Sequence, residues 1–229
     1  MLLHIPHSST DILQDVEVSN LQENLNLLTD WFTDELFFHE AGEPIIFKYS
    51  RLCIDVERLP ENEPMEKSGQ GILYEKDAFG DPIKRKNADF MMKLYHEHHY
   101  FLNQRTGWTL AYFPKAFIVD CHSFLDGPTR PDICLGIGQY TPKDMYFDIR
   151  DYFSSHGLYI AFNIPYEGSI MPHGFENNSD VKSIMIEVNK KLYLDDKYKK
   201  NSDFKNIQNL IEGALDIIYE YEERNIRED

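Results

Sequence analysis

Short apolar runs alternate along the chain with longer segments in which apolar residues recur every three or four positions, the signatures of buried strands and of amphipathic helices. The runs at residues 1–7, 116–122, 133–137, 157–163 and 182–188 predict strands, as does the β-branched and aromatic stretch 44–56, which Pro60 closes. Spacing through Leu25, Leu28, Trp31, Phe32 and Leu36 predicts helix over 21–39, interrupted at Thr29-Asp30, where Thr29 is placed to cap a second piece. Further helices are predicted over 87–103, from Pro142 to about residue 156, and over 203–223. In the last of these Phe204, Ile207, Leu210, Ile211, Ala214, Leu215 and Ile218 form one packing face.

Strands that alternate with helices argue for a three-layer αβα domain with a mostly parallel central sheet. A chain of 229 residues with 42% hydrophobic composition can bury one large core, so residues 1–229 are expected to form a single domain. Segments 8–20 and 165–180 are polar and turn-prone. Between 61 and 86 the composition shifts to charge, proline and Gly69, Gly71 and Gly80, which predicts a long surface excursion. Loops of that length are usually functional or disordered.

The formal charge of −16 changes the picture by excluding partners. Nucleic-acid binding needs a concentrated positive face, and none is readable. No stretch approaches the roughly 20 apolar residues of a membrane span, and the start MLLHIPHSS has neither a basic region nor a long apolar core. The three cysteines, Cys53, Cys121 and Cys134, lie in apolar runs without CxxC spacing, so core packing is expected rather than a disulfide framework, and a cytoplasmic protein follows. An anionic substrate would be repelled by the overall field and would need specific cations, which draws attention to the arginines.

Three predicted strands deliver polar groups at their carboxyl ends: His7, His122 and Glu187. Open α/β sheets build their sites there. Two imidazoles can ligate zinc and a separate glutamate can take a proton from water, which points to a hydrolase. The segment Tyr95-His-Glu-His-His99 suits an exposed helix face better than a metal site.

His4-Ile-Pro-His-Ser-Ser9, Thr29-Asp-Trp-Phe-Thr-Asp34, Arg51 with Asp55-Val-Glu-Arg58, Asp120-Cys-His-Ser-Phe124 and Glu187-Val-Asn-Lys-Lys-Leu-Tyr193 resemble, in that order, the N-formylglutamate amidohydrolase family. That family is similar in fold to zinc carboxypeptidases and to the deacylases of succinylglutamate and aspartate. The resemblance implies one zinc per chain and hydrolysis of N-formyl-L-glutamate, a small anionic N-acyl amino acid, to formate and glutamate. It implies His7 and His122 as zinc ligands, with Thr10 standing where the carboxypeptidase pattern has its glutamate. The acidic ligand must then come from elsewhere: Asp30 first, with Glu57 and Asp120 as rivals. Glu187 is implied as general base.

Arg58 resembles the arginine that holds a substrate carboxylate, although Glu57 replaces the usual asparagine before it. Arg51, seven residues earlier, would face the other way in a regular strand unless a bend intervened. Arg130 is a candidate for the oxyanion or the acid side chain, and a Tyr-His pair in the family brings His96 into consideration. Tyr166-Glu-Gly-Ser169 resembles a loop near the substrate. Two alternatives stay open: an amidase acting on another N-acyl amino acid or a peptidoglycan amide, and a metal-free binding protein that retains the fold.

Overall fold

The computed structural model describes residues 1–61 and 63–227, with side chains described through residue 224. In chain order the elements are β1 (Leu2–Ile5), β2 (Val16–Glu17), α1 (Leu21–Leu28), α2 (Thr33–Leu36), β3 (Glu43–Ile46), β4 (Lys84–Arg85), α3 (Ala88–Tyr112), β5 (Ala116–Phe124), β6 (Ile133–Ile137), α4 (Lys143–Ser155), β7 (Ile160–Phe162), β8 (Val181–Asn189) and α5 (Phe204–Arg227). Six strands form one sheet in the order β3-β1-β5-β8-β6-β7. All neighbours are parallel except β6 and β8.

β5 and β8 occupy the middle of the sheet and are buried along almost their whole length. A strand covered on both faces must be apolar on both, which is why these two read as continuous apolar runs. Their pairing sets His122 directly beside Glu187. One face of the sheet packs on α2, α4 and α5 through Phe37, Met145, Phe153, Ile211 and Ile218, among others. The other face is covered by α3, with Leu102 and Leu110 against Leu2, Ile45, Ile118 and Val181. The result is the three-layer arrangement expected from the alternation of elements.

Several local expectations change. The stretch 44–56 is a strand only at Glu43–Ile46, on the sheet edge where a proline is tolerated. Beyond it the chain turns, and Leu52, Cys53, Ile54 and Val56 enter a second core with Tyr74, Ile83, Met91 and Tyr95. Much of segment 61–86 therefore packs inward: Tyr74 is fully buried, β4 pairs with β2, and the Arg85 guanidinium donates to the carbonyls of Leu52, Cys53 and Tyr74. α3 runs on to Tyr112, since Leu102, Thr106 and Leu110 continue its inner face past residue 103.

Thr29 ends α1 in an extended conformation and does not cap α2, which instead follows Phe32 in the left-handed region at φ 60°. The break frees Asp30. Its backbone N–H donates to the His7 carbonyl at 2.9 Å, which draws the α1–α2 junction against the end of β1.

Candidate active site

His7 follows β1, His122 lies in β5, Glu187 in β8 and Asp30 in the junction between α1 and α2, and all four side chains are buried at the carboxyl end of the sheet. His122 Nδ1 is 3.2 Å and His7 Nδ1 3.6 Å from Asp30 Oδ2. The two imidazole centroids are 5.1 Å apart. The structure thus brings together the three residues considered as ligands, while Thr10 turns outward.

The opposite nitrogen of each ring is bound to a carboxylate. His7 Nε2 lies 2.7 Å from Asp55 Oδ1, and His122 Nε2 lies 3.0 Å from Asp120 Oδ1. Both carboxylates are held below the usual range. Burial opposes this, but for Asp55 the charges of Arg51, His7 and Arg58 outweigh it, and for Asp120 those of His122 and His4 do. An ionised carboxylate only accepts, so each ring carries its proton on Nε2 and turns an Nδ1 lone pair toward Asp30. Lone pairs facing a carboxylate demand a cation between them, whether a proton or a metal ion. The rise in the His122 pKa, won by Asp120 and Asp30 against burial, expresses that demand. His7 Nδ1 makes no hydrogen bond at all.

A histidine whose second nitrogen is fixed by a carboxylate is the standard support of a metal ligand. Two histidines and one aspartate, with donor atoms within 4.8 Å of one another, suit zinc. A second group, His4, Glu57 and Asp120, is equally close, but there the histidine carries the positive charge itself. His4 Nδ1 is 2.9 Å from Glu57 and 3.0 Å from Asp120, and its Nε2 is 2.8 Å from His98 Nε2. Burial opposes charge on His4, yet the bonds to Asp120 and Glu57 hold its pKa at about 9, so its own proton supplies the positive charge there. His98, buried beside that charge, is pushed down to about 2 and accepts.

Asp55 also receives the Arg51 guanidinium at 2.8 and 3.1 Å and the Tyr74 hydroxyl at 2.7 Å, with Arg58 Nε at 3.3 Å. The turn after β3 is the bend that lets Arg51 and Arg58 converge. Arg58 lines a cleft of about 860 Å³ with Glu57, His99 and Asp120. A separate cleft of about 540 Å³ is lined by Asp30, Ser123, Phe124, Arg130, Tyr166 and Lys190, among others.

Glu187 has neither Lys190 nor Lys191 as an ion-pair partner. Lys190 Nζ is 3.6 Å from Asp30 Oδ1, and Lys191 reaches Asp126 and Asp132. Burial pushes Glu187 up to about 8, with repulsion from Asp30 and Asp120 opposed by His122 and Lys190. One of its oxygens, Oε2, has no hydrogen-bond partner. A buried carboxyl that titrates near neutrality and keeps a free oxygen is suited to moving a proton.

His96 is exposed, whereas His98 and His99 point inward, the latter to the Val56 carbonyl. His4, Asp55, Tyr74 and Lys190 are site residues that pattern reading did not single out. His4, Asp55 and Lys190 stood inside quoted motifs, and the signal available for Asp55 was its place between two arginines in a largely acidic chain.

Among the described residues no helix is long and apolar enough to cross a membrane. No curated protein matches the chain. Of solved structures, an N-formylglutamate amidohydrolase from Ralstonia eutropha is similar with a TM-score of 0.84 at 20% identity, over 97% of this chain and 94% of that one. A gene product of Agrobacterium tumefaciens is similar with a TM-score of 0.67 at 18% identity, over 95% and 91%. At such identities these likenesses speak for the fold. The family model of N-formylglutamate amidohydrolase matches residues 1–194, so that β1 through β8, with every side chain of the site just described, fall inside it. This chain belongs to the N-formylglutamate amidohydrolase family.

Proposed function

We propose that this protein hydrolyses N-formyl-L-glutamate to formate and glutamate with the help of zinc held by His7, Asp30 and His122. The observation that carries the reading is the pair of inward Nδ1 atoms facing Asp30, each ring fixed from behind by Asp55 or Asp120. When bound, zinc supplies the Lewis acidity that activates water and polarises an amide carbonyl.

The chain's own groups supply the rest. Glu187, beside His122 and with Oε2 free, takes the proton from the attacking water and returns it to the leaving nitrogen. Its burial keeps bulk water from competing for that proton. Asp120 and Asp55 hold the two imidazoles in one tautomer and orientation, and Arg51 and Arg58 hold Asp55 in turn. With both guanidiniums at Asp55, their first contribution is to keep that carboxylate ionised beneath His7, and Arg58 also offers a cation to the larger cleft.

The reading is tested by purifying the protein in zinc-replete medium and measuring metal content and formate release from N-formyl-L-glutamate. About one zinc per chain is expected, with activity removed by a chelator and restored by zinc. Asp30→Ala should lose the metal, and Glu57→Ala should keep it. A zinc-loaded protein that releases no formate would overturn the assignment.

A further inference from the structure

α3 carries apolar side chains on two sides. Met91, Tyr95, His98, Leu102 and Thr106 are buried and form its inner face. A second row, Phe90, Leu94, Glu97, Phe101, Trp108 and Tyr112, runs along another side in steps of three, four and seven residues, the spacing of a helix packing seam. Leu94 is half-buried, but the four aromatic residues of this row are exposed, Trp108 by 61% and Tyr112 by 77%. Large apolar patches of this kind mark interaction surfaces.

The row is already ordered. The Arg105 guanidinium donates to Glu43 of β3, the sheet-edge strand, at 2.6 Å, and its central carbon lies 4.8 Å from the Trp108 ring centroid. The Trp108 and Tyr112 rings meet edge to face at 6.4 Å. Tryptophan, tyrosine and arginine held in this way are the side chains that most often dominate the binding energy of an interface. The row lines neither the cleft that reaches Asp30 nor the cleft that holds Arg58, so this surface is separate from the candidate active site.

Charge and register identify the occupant. At a net charge of −16 most faces of the protein repel a second copy, yet α3 sets Asp89 and Glu97 against Lys93 and Arg105 and is balanced. The row is also self-complementary about Phe101. A two-fold axis there lays two copies of α3 antiparallel, and a residue any number of places before 101 then lies level with the residue as many places after it in the second copy. Glu97 meets Arg105 of the second copy, Leu94 meets Trp108, Phe90 meets Tyr112, and Phe101 meets its own mate. Parallel packing would instead oppose Glu97 to Glu97 and Arg105 to Arg105. Taking roughly 200 Å² for a fully exposed ring, the four aromatics and the neighbouring Tyr100 offer roughly 600 Å², close to the ~800 Å² per partner of a stable interface.

We propose that the outer row of α3 is the contact of a two-fold dimer of this chain, anchored by Trp108 and held in antiparallel register by Glu97–Arg105 pairs between the copies. The dimer is independent of the hydrolase reading, and either stands if the other fails.

The test is sedimentation equilibrium of the full-length protein between about 1 and 100 μM, the weak end of affinity for an interface of this size. The wild type should reach the dimer mass within that range. Trp108→Ala should raise the dissociation constant by about 100-fold or more, because each copy loses its anchor. Glu97→Arg and Arg105→Glu should each weaken self-association by at least about tenfold, because like charges then face one another across the axis. An equimolar mixture of these two variants should associate again, since every pair between the copies then joins opposite charges. Circular dichroism of all three variants should match the wild type, and recovery in the mixture could not come from misfolded chains. A wild type that stays monomeric at about 100 μM, or a dimer that Trp108→Ala leaves intact, overturns the proposal. A mixture that remains monomeric overturns the antiparallel register and the proposal with it.

Discussion

β5 and β8 bring His122 and Glu187 to the site from two buried and fully paired strands, whereas Asp55, Arg51, Arg58 and Tyr74 reach it from a turn and from the segment that packs over it. In the first region a backbone ladder sets the geometry, and the side chains inherit it. In the second, geometry is held by the polar groups themselves, since Asp55 gathers bonds from His7, Arg51, Tyr74 and the Glu57 N–H. The contrast suggests a division of labour. Strand ends carry the chemistry, where a misplacement of an ångström is costly. The turn-built half tunes how firmly His7 is presented.

The strongest way to test that division is to remove the chemistry without the shape. Glu187→Gln should lower kcat by about two to four orders of magnitude while zinc content stays near that of the wild type. Kinetics beside elemental analysis checks this, and a fully active variant would remove Glu187 from its role.

The same substitution sharpens the comparison on the stability side. A buried carboxyl raised to about 8 keeps its proton in the folded state while the unfolded chain ionises at its ordinary value, so folding grows less favourable as pH rises from the unfolded pKa to about 8 and levels off above it. Metal-free Glu187→Gln escapes this cost. It should exceed the metal-free wild type by roughly 2 to 4 kcal/mol at pH 9 and by little at pH 4, as read by denaturant unfolding at the two pH values. A pH-independent difference would mean that the carboxyl is not desolvated as described.

In the turn-built half, Asp55→Asn should weaken zinc binding by about 10- to 100-fold, with kcat of the fully loaded enzyme much less affected. Competition with a chelator of known affinity measures it. A fall in kcat as large as that of Glu187→Gln would dissolve the distinction between the two halves. The smallest effect is expected from Tyr74→Phe, which removes one buried bond to Asp55 and should cost about 1 kcal/mol of stability. Thermal unfolding of the metal-free protein reads it, and no change would show that the other partners of Asp55 hold it in place without the Tyr74 hydroxyl.

The two halves also differ in how far they could be read without coordinates. His7, His122 and Glu187 stand out because each follows an apolar run, and a polar group at the end of a buried strand is expensive unless it has a partner or a task. Asp30 was reachable only through the family resemblance, because Thr10 left a ligand to be found; pattern alone describes it equally well as a helix cap. Asp55 offered only its place between Arg51 and Arg58 as a signal, and nothing local separates Lys190 from a surface charge. Residues 47–56 read as a strand because composition reports burial, and these residues are buried, in a second core rather than in the sheet.

What the sequence by itself determined is the set of elements and the polar groups at their ends, since both follow from periodicity within a few neighbouring positions. The tertiary structure alone decided that Asp30 meets His7 and His122 and that Asp55 meets His7. Asp120 stands two residues before His122 on the same strand face, whereas Asp30 and Asp55 lie far along the chain from the imidazoles they meet and acquire those partners only when the α1–α2 junction and the turn after β3 close onto the ends of β1 and β5. Electrostatic interactions at 3 Å depend on distances that no local pattern encodes.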